Sequence, residues 1–135
     1  MNGPSVIYCS ARKKWVDKTP EEEVRQEIIR HLHIVGGFPL HLMTCEYPVR
    51  YLGTNWRADL VVHDRNGKPL LIAEFKAPGI PVGEKTVEQL RKYNAQILAP
   101  CLLVSNGIRT YFWKFDRDKG TYKQLAEIPS FDELQ

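Results

Sequence analysis

Cysteine is scarce: three residues in 135, Cys9, Cys45 and Cys101, with no Cys-x-x-Cys pair among them. So odd and widely spaced a set argues against both a disulfide framework and a thiolate zinc site. The three are expected as small buried apolar side chains in a reduced cytoplasm. Long apolar runs are missing, since none approaches the roughly 20 residues that cross a bilayer, and no basic-then-apolar signal pattern opens the chain. A soluble, cytoplasmic protein with no membrane partner is therefore expected. Charge of one sign is also lacking: 19 Lys and Arg face 16 Asp and Glu, a net charge of +3, well short of a histone-like binder. The chain holds no phosphate-binding Gly-x-x-x-x-Gly-Lys-Ser/Thr loop, so if it is a complete protein any translocation is expected to come from a partner. His31, His33, His41 and His63 show no metal-ligand spacing with a cysteine. There is no internal repeat, linker or low-complexity tract.

What is present suits a single domain over residues 1–135, because 43% hydrophobic residues in a chain of this length can build one continuous core. Val6 to Lys18 starts β-prone and turns basic, and is expected as an arm pairing with a sheet edge. Thr19 as N-cap, Pro20 at the first helical position and Glu22 as the capping-box partner announce a helix. Val24, Ile28, Ile29, Leu32 and Val35 give it one apolar stripe, ended by Gly36-Gly37. Strands are expected at Cys45–Tyr51, with Pro48 marking an edge, at Arg57–His63 and at Pro69–Lys76. The last two are joined by a turn whose Asn66-Gly67 pair supplies positive φ angles. Their continuous apolar runs suit central strands covered on both faces. A second helix follows over Glu84–Leu98, then a buried strand Cys101–Ser105. Past the Asn106-Gly107 turn come strands Ile108–Phe115 and Tyr122–Leu125, and after Pro129 a short helical or irregular tail.

Two charged features interrupt this apolar scaffold. Asp59 lies near the start of one strand of the hairpin, and Glu74-Phe75-Lys76 ends the other. Antiparallel pairing brings the start of one strand beside the end of its neighbour, so Asp59 and Glu74 converge. Alternation then puts Glu74 and Lys76 on one face and Phe75 on the other. Two carboxylates this close repel unless a cation sits between them, and a hard divalent ion suits an all-oxygen set. Magnesium in such a place would serve phosphodiester hydrolysis, with Lys76 orienting water or stabilising developing charge. Taken singly, the same residues read as a surface ion pair at a strand end and a solvated aspartate, which are common and worth little.

Arg57-Ala58-Asp59 followed by Glu74-Phe75-Lys76 resembles the D…ExK signature of the PD-(D/E)XK nuclease superfamily, with alanine where a proline usually precedes the aspartate. Taken together, Pro20-Glu21-Glu22-x-Val24-Arg25-Gln26, the Asp59 strand, Glu74-x-Lys76-x-Pro78, Gln89-x-x-x-Tyr93 and Ser105-Asn106-Gly107 resemble, in order, the N-terminal nuclease domain of type I restriction enzyme R subunits. The resemblance implies an α/β, restriction endonuclease-like αβββαβ core: a central mixed sheet flanked by two helices, here with a C-terminal β extension. It implies Asp59 and Glu74 as metal ligands, Lys76 as catalytic lysine, and Mg2+ as cofactor with Mn2+ able to substitute. It also implies DNA as substrate and other restriction or helicase subunits as partners, and cutting both strands together would call for a homodimer. A first-helix glutamate completes such sites. Glu21 is preferred because it shares the stripe of Val24, Ile28 and Leu32, with Glu22 second because capping already accounts for it.

Gln89 and Tyr93, one turn apart, are the family's Gln-x-x-x-Tyr pair and could hold a phosphate or a nucleotide. Read alone, they are a solvated amide and a half-buried packing residue. Arg12, Lys13, Lys14, Arg50, Arg57, Lys85, Arg91 and Lys92 could line a groove for a phosphate backbone, or simply solubilise a surface. Trp15 and Trp56 could stack on bases or pack. The expected function is metal-dependent endonucleolytic hydrolysis of DNA. The rivals are a nucleic-acid or protein-binding module of the same fold and a structural accessory subunit of a defence complex.

Overall fold

In the computed structural model residues 5–135 are described, and they form two sheets and three helices. A hairpin of β1 (Val6–Cys9) and β2 (Lys14–Asp17) precedes α1 (Pro20–Ile34) and a 3-10 turn at Leu40–Leu42. Then come β3 (Met43–Tyr51), β4 (Thr54–His63), β5 (Pro69–Phe75), α2 (Glu84–Ile97), β6 (Cys101–Ser105), β7 (Thr110–Asp116), β8 (Thr121–Leu125) and α3 (Phe131–Leu134). β3 to β8 make one sheet in sequence order, antiparallel throughout except for β5 and β6, which run parallel. A parallel pair needs a crossover, and α2 supplies it. This is the expected mixed sheet with a β7–β8 extension, and Pro48 does lie in an edge strand.

The sheet is covered on both faces. Val24, Ile28, Ile29 and Leu32 of α1, with Phe131 of α3, pack on Leu60, Leu71, Ala73, Phe75 and Leu103. On the other side Leu90 and Tyr93 of α2 pack on Val61, Ile72, Leu102 and Val104. Leu71 and Ile72 thus serve opposite cores, as period-two alternation requires. Cys9, Cys45 and Cys101 are all buried free thiols, as their scarcity suggested. Among the described residues no helix is long and apolar enough to cross a membrane.

Several local expectations are corrected. The N-terminal arm does not join a sheet edge: β1 and β2 pair only with each other, Tyr8 opposite Trp15. The arm is fastened instead through Arg12, which donates to Glu22 Oε1 at 2.7 Å and to Cys9 Sγ at 3.1 Å. Thr19 Oγ1 accepts from the Glu22 amide at 3.1 Å, but the box is not reciprocal, because the Thr19 N–H already donates to the Asp17 carbonyl at 3.2 Å. Val35 falls beyond the helix and is 71% exposed. β4 begins at Thr54 rather than Arg57, so Asp59 sits in mid-strand. In the β4–β5 turn only Gly67 takes a positive φ, 81°. Asp64 Oδ1 shapes the rest by accepting from the amides of Asn66 and Lys68, an Asx turn.

Candidate active site

Helix α1 opens beside Asp59 and Glu74, and the resulting cleft of about 210 Å3 is lined by Glu21, Glu22, Arg25, Glu46, Asp59 and Glu74. The register Leu60 opposite Ala73 brings Asp59 beside Glu74. Asp59 is fixed at both its polar ends. Its Oδ2 accepts from the Phe75 amide at 2.7 Å, and its main-chain carbonyl accepts from Arg25 Nη1 at 3.1 Å. Phe75 is buried in the α1-side core, so the amide that holds Asp59 is rigidly placed.

The electrostatics follow from this crowding. Burial pushes the Glu74 carboxyl up to about 8, the nearby Asp59 charge adds to the rise, and Lys76 opposes it. Burial also raises Asp59, against the Phe75 amide and the Arg25 guanidinium. Each of the two carboxyls perturbs the other's ionisation. Glu74 Oε2 is a buried oxygen with no hydrogen-bond partner, which is costly to leave so in a folded protein. Oxygen donors only, mutual repulsion and an orphaned acceptor fit a hard divalent cation, which takes one or two carboxylates and completes its shell with water and substrate oxygens. Among the described residues no three His, Cys, Asp or Glu side chains gather closely enough to hold a metal by themselves.

Glu22 is in a different state. Although burial opposes its ionisation, hydrogen bonds from Arg25, Arg12 and Gln26 hold its pKa at about 2. Arg25 reaches it at 2.6 and 2.9 Å, Arg12 at 2.7 Å and Gln26 at 2.9 Å. The glutamate that capping seemed to explain is therefore buried against two arginines at the cleft, whereas Glu21 lies exposed at the rim. Lys76 lies one residue past β5, its amide donating to the Ser105 carbonyl at 3.0 Å, and its charge is felt by Glu74.

Gln89 and Tyr93 do not line this cleft. Gln89 Nε2 donates to the Tyr93 hydroxyl at 2.7 Å, and Tyr93 is 5% exposed, with its ring 5.8 Å from that of Trp56. Gln89 opens instead on a separate cleft of about 740 Å3 with Lys85, Arg91, Lys92, Tyr111 and Trp113. The basic residues also divide: Arg12 turns inward to Glu22, and Arg91 lies over the Tyr122 ring, 5.5 Å from its centroid. Trp15 stays 67% exposed against Tyr8. Sequence reasoning missed Arg25 and Glu46. The i,i+3 spacing of Glu22 and Arg25 was a usable signal for the first, and nothing in the β-prone run around Glu46 marked the second.

Residues 20–129 match the family described as type I restriction enzyme R protein N terminus. The chain belongs to that family. Two solved structures share the fold of this R-protein N terminus. One is a fragment of a provisionally assigned HsdR subunit of a type I restriction enzyme from Vibrio vulnificus YJ016, 22% identical over 87% of this chain, TM-score 0.62. The chain spans 24% of that protein's length. The other is a provisionally assigned nuclease from Anabaena variabilis ATCC 29413, 11% identical, covering 98% of this chain and 86% of that one, TM-score 0.53. No curated protein matches the chain in sequence. The family match makes this a type I restriction enzyme R N-terminal domain, and the two solved structures show its fold.

Proposed function

We propose that the domain hydrolyses DNA phosphodiester bonds endonucleolytically, with a divalent cation held by Asp59 and Glu74. The observation that carries this is the buried, unpartnered Oε2 of Glu74 close to a second acid, Asp59. A restriction enzyme as the family's description supports DNA as the substrate. Magnesium bound there, or manganese in its place, would polarise the phosphoryl group and lower the pKa of a bound water.

The chain's own residues do the remaining work. The Phe75 amide fixes Asp59 Oδ2 and leaves the other oxygen for the cleft. Lys76 brings a positive charge to the side of Glu74, where it orients the attacking water or stabilises negative charge growing on the phosphate. Glu22, ionised and clamped, keeps a fixed negative charge at the wall. Gln89 and Tyr93 remain candidates for holding substrate, through the second cleft. Other restriction or helicase subunits are the proposed partners, and a homodimer would cut both strands together.

Calorimetric titration should show one manganese site that Asp59→Ala abolishes. Plasmid nicking should fall by about 100-fold or more in Lys76→Ala, the scale for loss of one group that stabilises transition-state charge. The second reading is a nucleic-acid or protein-binding module, favoured by the absence of a three-ligand metal cluster among the described residues. Manganese binding without cleavage of any nucleic acid would select it.

A further inference from the structure

The β3–β4 ladder pairs Cys45 with Leu60 and Tyr47 with Ala58 but leaves out Glu46 and Asp59 between them. At this gap Glu46 adopts a φ of 55°, a left-handed conformation that is strained for a non-glycine residue and persists only where surroundings impose it. The Asp59 carbonyl at the gap accepts from Arg25 Nη1 at 3.1 Å, and the same nitrogen holds Glu46 Oε1 at 3.0 Å. Nε and Nη2 of Arg25 are taken by Glu22 at 2.9 and 2.6 Å. One guanidinium, 7% exposed as a residue, therefore spans the α1 acid, the strained edge-strand acid and the main chain of the candidate metal ligand.

From this geometry we infer that Arg25 is a positioning residue. It props open the strand pairing at Asp59 and so sets the direction of that carboxylate toward Glu74. The planar fork is essential to this role: two donors face Glu22 while a third, at a fixed angle, faces Glu46 and the Asp59 carbonyl. Lysine carries the charge but cannot serve both directions. The Phe75 amide that donates to Asp59 Oδ2 is the natural reporter, because any swing of the carboxylate alters that bond. The inference rests on the proposed metal reading for its consequence, but not for its geometry.

The test uses the full chain with Arg25→Lys, and Arg25→Gln as the second variant, in which Arg12 and Gln26 still partner Glu22. Amide NMR of the metal-free protein should show displaced Phe75 and Leu60 resonances and faster exchange at Phe75, with Ile29 and Leu32 in the α1 core unmoved. Manganese affinity should fall about 10–100-fold, the scale seen when a group orienting a metal ligand is removed. A folded variant with Phe75 and Leu60 amides and manganese affinity as in the wild type overturns the inference. Loss of the fold in both variants also overturns it, assigning Arg25 to stability alone. Should the wild type bind no manganese, the metal reading fails while the NMR comparison still decides whether Arg25 places Asp59.

Discussion

Glu74 and Glu22 sit at the same cleft with their pKa values displaced in opposite directions, and the difference comes from their surroundings. Glu74 faces another acid and a burial cost, so its folded pKa, about 8, lies above the ordinary 4.5. The neutral form is favoured in the fold, and its contribution to stability is complete below pH 4.5 and lost as pH rises through about 8. In chelator, the denaturation midpoint should therefore contain a component that declines over that window, and Glu74→Gln should flatten it. Glu22 has the reverse sign: held at about 2, it stabilises above pH 4.5 and loses that contribution as pH falls toward 2. Acid titration of Glu22→Gln should show less loss of stability in that range than the wild type. The choice between Glu21 and Glu22 was not legible in the sequence, because a capping pattern accounts for Glu22 locally. One of its buried partners is Arg12, ten residues earlier in the turn between β1 and β2.

At the scale of elements, the two helices anchor the site and the strands carry it. The C-terminal end of α2 is stapled to the entry of β6 by Asn94. Its Nδ2 donates to the Ala99 carbonyl and its Oδ1 accepts from the Ala99 amide, both at 2.8 Å. Leu98 between them turns the chain in the left-handed region, φ 62°. Asn94→Ala should cost about 1–3 kcal/mol by leaving buried main-chain groups unpaired, measured by chemical denaturation. The same change should leave manganese affinity unaltered, since Asn94 lies outside the cleft of Asp59 and Glu74. Phe75→Ala, by contrast, should lower stability by about 3–5 kcal/mol through the cavity it opens. It should also weaken manganese binding, because loss of the buried ring lets β5 shift and carries with it the residue-75 amide that holds Asp59. The central hairpin was readable because the apolar runs at residues 60–62 in β4 and 70–73 in β5 flank one turn. The irregular pairing at Glu46 was not, since no local residue preference foretells a left-handed glutamate inside an edge strand.

For the whole molecule, six strands in sequence order with one parallel step put Asp59 and Glu74 side by side within a chain that has two separate cores. That order followed from the succession of helix, hairpin, helix and strand, and the matched family covers residues 20–129 of it. The β1–β2 arm lies before that span. Its attachment escaped the sequence because a four-residue β-prone segment does not specify its partner. The central claim concerns the space between two acids. Anomalous diffraction from a manganese-soaked crystal measures it most directly. The account predicts a single anomalous peak bridged by the carboxylates of Asp59 and Glu74, lost in Asp59→Ala. Crystals soaked at saturating manganese with no peak there would contradict it.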